Sequence, residues 1–107
     1  DKDIYLIKSR IYEGKGLYGE AIRLIQGIVD SLPKKEEKAQ AYFEMGRIFE
    51  EDLNNLEKAK EYYDKAAGMG KFPGITELAL QKSASISLLE KVKADSTDST
   101  EDRGKSQ

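Results

Sequence analysis

The chain contains no cysteine and no histidine in 107 residues. The first absence excludes disulfides and thiolate metal sites. The second removes the commonest general base and the commonest metal ligand. Tryptophan is also missing, and proline occurs twice, at Pro33 and Pro73. No apolar run approaches the roughly 18 residues needed to cross a bilayer, so direct membrane insertion is not expected. A formal net charge of −2 supplies no basic field for nucleic acid or anionic lipid. There is no initiator Met and no signal peptide. The chain opens at Asp1 inside a helical pattern and reads as an excised fragment or a processed form.

What is present is a soluble helical composition, 38% apolar and 36% charged, rich in Ala, Glu, Lys and Leu. Its length suits one domain. Apolar residues at helical spacing place five helices, over residues 2–14, 18–31, 35–51, 55–68 and 75–93. Gly14 and Gly16 close the first, since glycine tolerates the left-handed turn that ends a helix. The second is apolar around much of its girth (Ala21, Leu24, Ile25, Ile28, Val29) and should be covered on more than one side. Pro33 stops it. On the fifth, Ile75, Leu78, Ala79, Ile86, Leu89 and Val92 are expected to share a face. From Ala94 to Gln107 the chain has almost no apolar content and is expected to be a disordered polar tail.

The helices repeat. Ser9, Gly46 and Ser83 are spaced by 37 residues, as are Tyr12, Phe49 and Ile86, then Tyr5, Tyr42 and Ala79, and Leu6, Phe43 and Leu80. Ala21 and Ala59 are 38 apart, so one turn carries an extra residue, expected within Asp52–Asn55. Around the centre, Tyr42, Gly46 and Phe49 mark one helix, and Ala59, Tyr63 and Ala66 mark the next. This pattern resembles the tetratricopeptide repeat, whose usual period is about 34. The resemblance covers residues 2–93 and implies an all-α, antiparallel helix-pair solenoid with a right-handed superhelix. Repeats would span about 2–33 and 36–70, with a fifth capping helix or half repeat over 74–93. In family terms Ser9, Gly46 and Ser83 are close-packing positions and Tyr12 and Phe49 the first-helix aromatics. Ala21, Ala59 and Tyr63 are their second-helix partners, and Pro33 is the inter-repeat proline. Lys8 and Lys82 stand where the family usually has Leu.

The resemblance further implies that the first helix of each pair lines a concave groove for a partner peptide or helix. The groove residues would be Leu6, Arg10 and Glu13, then Gln40, Phe43, Arg47, Glu50 and Glu51, then Glu77 and Leu80, with Ala84 and Ser87 beyond. Arg10 and Arg47 are equivalent positions and should stand side by side. They form either a clamp for a partner carboxylate or ion pairs along their own helices, with Glu13 and with Glu50 and Glu51. Leu6, Phe43 and Leu80 are either an apolar docking row or residues packed beneath neighbouring helices. Tyr62 and Tyr63 read as packing residues. The acidic run Glu36, Glu37, Glu44, Glu50, Glu51 and Asp52 lacks calcium-loop spacing and reads as a solvated face. No catalytic, cofactor-binding or metal-binding set can be assembled, and no phosphate loop is present.

The expected function is a non-enzymatic protein-interaction module or scaffold that binds another protein in the groove. The alternative is structural self-association, a homodimer through exposed end helices. The short loops and Lys/Glu-rich style are similar to repeat proteins of the bacterial envelope. Localisation is therefore cytoplasmic or periplasmic, with a lean toward the latter.

Overall fold

Helical spacing of Tyr5, Ser9 and Tyr12 turns one side of the first helix toward its neighbour, and α1 runs over Ile4–Gly14. The computed structural model describes the backbone of residues 4–106 and the side chains through Asp95. The expected helix start at residue 2 therefore lies outside the described residues. Gly16 closes α1 at φ 77°. Its N–H donates to the Glu13 carbonyl and that of Leu17 to the Tyr12 carbonyl, at 2.9 and 2.8 Å, the paired bonds that satisfy a helix C-terminus around a left-handed glycine.

The remaining elements are α2 (Tyr18–Val29), α3 (Lys35–Arg47), a π turn (Ile48–Asp52) that prolongs α3, α4 (Leu56–Gly68) and α5 (Ile75–Ser106). Consecutive helices pack against one another, and α3 also touches α5. The result is an all-α helix-pair stack: two full pairs, α1/α2 and α3/α4, and a fifth helix capping α4. Among the described residues no helix is long and apolar enough to cross a membrane.

The core lies where α2 meets α3. Ile22, Ile25 and Val29 of α2 form one buried cluster with Ala41, Met45 and Ile48, joined by Tyr5 of α1 and Tyr62 of α4. Burial of this kind stabilises by about 25 cal/mol per Å² of apolar surface. The link between pairs is also tied electrostatically. Lys38 Nζ donates to the Val29 and Asp30 carbonyls, at 3.1 and 3.0 Å, a cation on the negative end of α2.

Three features depart from the sequence expectations. The extra residue lies in the π turn, not in the turn after it. Leu53 N–H reaches the Ile48 carbonyl at 3.1 Å, a bond from five residues on that absorbs one surplus residue inside the helix. Next, α5 splits the face assigned to it. Thr76, Ala79, Ser83 and Ile86 are buried, whereas Leu78, Leu89 and Val92 are exposed. Apolar residues cover more than half of this helix's circumference, and α4 covers only one side of it. Finally, α5 continues as helix past residue 93 to Ser106. Once nucleated, a helix propagates at little cost through a stretch free of proline; the scarcity of apolar side chains there bears on packing.

Candidate interaction face

The first helices of each pair, α1, α3 and α5, lie in a row joined by polar contacts. Arg47 is the hub. Its Nη2 lies 2.6 Å from Glu13 of α1 and 2.9 Å from Glu44, and its Nη1 lies 3.2 Å from Glu51. Arg10 of α1 approaches Glu44 from the other side at 3.6 Å. On the far flank of α3, Glu50 accepts a 2.6 Å hydrogen bond from Tyr63 Oη and lies 3.8 Å from Lys82 of α5. Carboxylates of α3 thus engage cations on both neighbouring helices, and Arg47 bridges the two pairs.

Titration follows this geometry. Burial disfavours the Arg47 cation, but the hydrogen bonds it donates to Glu13 and Glu44 and their negative charges outweigh that and raise its pKa. Burial likewise pushes Glu13 up; the Arg47 and Asp52 hydrogen bonds overcome that and hold it below its ordinary value. Asp52, placed at the end of the π turn, is pushed up to about 6 by burial, by its hydrogen bond with Glu13 and by the Glu13 charge. Tyr63 is also raised, first by burial and then by its bond to Glu50.

The two readings of the arginines therefore resolve into a third arrangement. Arg47 does pair within its own helix, with Glu44 and Glu51, and it also crosses to Glu13. Arg10 contacts Glu44 rather than Glu13, and its side chain is 67% exposed. Leu6 is half-buried and packs against the core. Phe43 is half-buried on Tyr63, ring centroids 5.3 Å apart. Gln40, Glu77, Ala84 and Ser87 are exposed. Leu80 is exposed and borders a hollow of about 290 Å³ with Lys71, Phe72, Pro73, Thr76 and Glu77. The turn behind the hollow is held by Thr76 Oγ1, which accepts from Phe72 N–H at 2.8 Å and donates to the Gly70 carbonyl at 2.7 Å.

The residues assigned to repeat packing are placed as follows. Ser9, Ala21, Gly46, Ala59, Tyr63 and Ser83 are buried, while Tyr12 and Phe49 are half-buried. A Cβ at Gly46 would fall 2.8 Å from the Tyr63 ring and 3.2 Å from the Ala59 carbonyl, so only glycine permits this approach. Phe49 stacks on Tyr62 at 5.5 Å, nearly parallel, and Lys65 Nζ lies 4.9 Å over that ring.

Sequence reasoning missed Glu44 as a buried anchor, Asp52 as a titrating neighbour of Glu13, and the Lys71–Thr76 side of the hollow. A hint was available for the first alone: Glu44 precedes Arg47 by three residues, the spacing of a helical ion pair.

Residues 39–69 match the family model described as tetratricopeptide repeat. No curated protein and no solved structure matches the chain. The matched segment spans α3 from Ala39 onward, the π turn and α4, the pair locked through Gly46, Ala59 and Tyr63. The central pair is thus similar to a tetratricopeptide repeat over residues 39–69, and repeats of that family in general mediate contacts between proteins.

Proposed function

We propose that the chain is a non-enzymatic interaction module that binds an apolar-sided peptide or helix of another protein along the α1/α3/α5 row. The hollow beside Leu80 carries this reading. It is an apolar recess at the end of the row, of a size to take one large side chain, with Lys71 and Glu77 at its edge. The charges of α1 and α3 are largely engaged with each other. Affinity therefore comes from apolar contact at Leu80 and its hollow, and register from exposed Arg10, Gln40 and Glu77. A catalytic reading has little to build on, because the chain lacks histidine and cysteine, Glu13 and Glu44 are tied to Arg47, and Glu50 is tied to Tyr63 and Lys82.

The test is selection of displayed random peptides on the full chain, followed by titration of the enriched peptides against Leu80→Asp. Enriched peptides should share an apolar anchor and lose at least tenfold in affinity on the variant. Peptides that bind Leu80→Asp as tightly as the parent chain would remove the row as the working surface.

A further inference from the structure

The C-terminal half of α1 carries two charged side chains, Arg10 and Glu13, to α3 and the π turn, and there acids outnumber bases. Four carboxyls, Glu13 of α1, Glu44 of α3, and Glu51 and Asp52 of the π turn, share two cations, Arg10 and Arg47. Arg10 is turned to Glu44. Every nitrogen of Arg47 is already engaged: Nε bonds to Glu44, Nη1 to Glu51, and Nη2 to Glu13 and Glu44. Asp52 is left over. Its Oδ2 is buried and meets no donor, and across the seam its carboxyl lies within hydrogen-bonding reach of that of Glu13. Two carboxyls bond to each other only with a proton between them.

Among the described residues the other charges nearby are engaged elsewhere. On α2, Glu20 pairs with Arg23. On α4, Lys58 pairs with Glu61 and Lys60 with Asp64. Glu50, also in the π turn, is turned to Tyr63 and Lys82. Tyr12, Tyr18 and Tyr62 pack in the core, and Lys15 is exposed.

We propose that Glu13 and Asp52 are a proton-operated latch: a proton held between them fastens the end of α1 to the π turn, and its loss frees that end, with the Lys15–Leu17 turn, from α3. The charge count sets the direction. With the proton the cluster carries one excess negative charge; without it, two, in a partly buried place. Asp52 is pushed up to about 6 by burial, by the Glu13 bond and by the Glu13 charge, whereas Glu13 is held below its ordinary value. The contribution of the latch is therefore complete below the ordinary 3.8 of Asp52 and is lost as pH rises through about 6. It operates whether or not a peptide binds the row.

The test is made on the full chain. The chain has no cysteine, so spin labels go only where Lys15→Cys and Glu57→Cys place them, on exposed positions in the α1–α2 turn and at the start of α4. Pulsed electron resonance should give one narrow distance distribution at low pH and a second, longer component as pH rises. The ratio of long to short should grow about tenfold between about pH 5 and 7. Carbon-detected NMR should show both carboxyls reporting one step near 6, as a coupled pair does. Asp52→Asn, whose amide donates to Glu13 at every pH, should keep the narrow distribution throughout, and Glu13→Gln should return Asp52 to its ordinary range. Circular dichroism checks that each variant keeps its helix content. A distribution in the parent chain that does not change with pH overturns the proposal. So does one that lengthens equally in Asp52→Asn, and so does an Asp52 step in the ordinary carboxylate range.

Discussion

Gly46 of α3 and Ser83 of α5 occupy the same place in the repeat, and they grip the same helix, α4, from two sides. On the α3 side the grip is shape. Gly46 has no side chain, and the Tyr63 ring lies where a Cβ would be. On the α5 side the grip is polar. Ser83 Oγ donates a short hydrogen bond to Asp64, which together with Lys60 holds that carboxyl below its ordinary value against the pull of burial, while Ile86 reaches Tyr63 and Ala59 beside it. The inner seam of the stack therefore depends on the absence of atoms, and the capping seam on a contact that water can replace. The difference predicts that α5 leaves first when the stack is stressed.

Removing what both seams share should have the largest effect. Tyr63 is fully buried, and Tyr63→Ala should cost about 3–5 kcal/mol, in the range of large aromatic truncations. In so short a stack that should abolish cooperative thermal unfolding by circular dichroism. A retained sharp transition would mean that Tyr63 is not the common element. The two seams separate under single substitutions. Gly46→Ala improves intrinsic helix propensity by about 1 kcal/mol, yet it should destabilise, because overpacking costs about 1–3 kcal/mol and the ring in the way is bonded to Glu50. Ser83→Ala loses one hydrogen bond to a half-exposed acid and should cost only about 1 kcal/mol. Urea titration of the two variants reads the order directly, and equal midpoints would erase the distinction between the seams.

The smallest effect belongs to a third seam, between α1 and α3, which is held by charge. Asp52 titrates near 6 in the fold, against an ordinary value of 3.8. A carboxyl whose folded pKa is raised stabilises while protonated. Its contribution is complete below about pH 4 and is lost as pH rises through 6. Asp52→Asn keeps a neutral partner for Glu13 at every pH. Its melting temperature should match that of the parent chain at pH 4 and exceed it by a few degrees at pH 7. Comparing the difference at each pH removes the opposite slope contributed by Glu13 and Asp64, both held low. A variant less stable than the parent chain at pH 7 would show that the Asp52 charge is favourable where it sits.

The helices, their pairing and the interior of the central pair were legible in the sequence because they are periodic. Tyr42, Gly46, Phe49, Ala59, Tyr63 and Ala66 recur at spacings that only a helix turns to one side. The 38-residue step from Ala21 to Ala59 also revealed a surplus residue. Its location was hidden, because a π turn has no composition of its own: Ile48–Asp52 reads as ordinary helix. The face of α5 was misjudged for a related reason. Periodicity reports which residues are apolar; which of two apolar stripes meets α4 depends on where α4 lies. The Arg47 hub was the least visible, since Glu13 lies 34 residues away and no local spacing links them.

The π turn has a consequence for modularity. The turn is the last of this helix: Leu53 to Asn55 then carry the chain out of it, Asn54 at φ 51°, before α4 begins at Leu56. One added residue shifts the side chains beyond it by about 100°, which bears on where Phe49 and Glu50 meet Tyr62 and Tyr63 of α4. A repeat of standard length transplanted into this position would lack that turn and its contacts. Excising a single residue from the turn would shorten the link to Asn55, whose side chain caps α4 by accepting from Lys58 N–H. The units of this stack are therefore not interchangeable parts, although their side chains repeat.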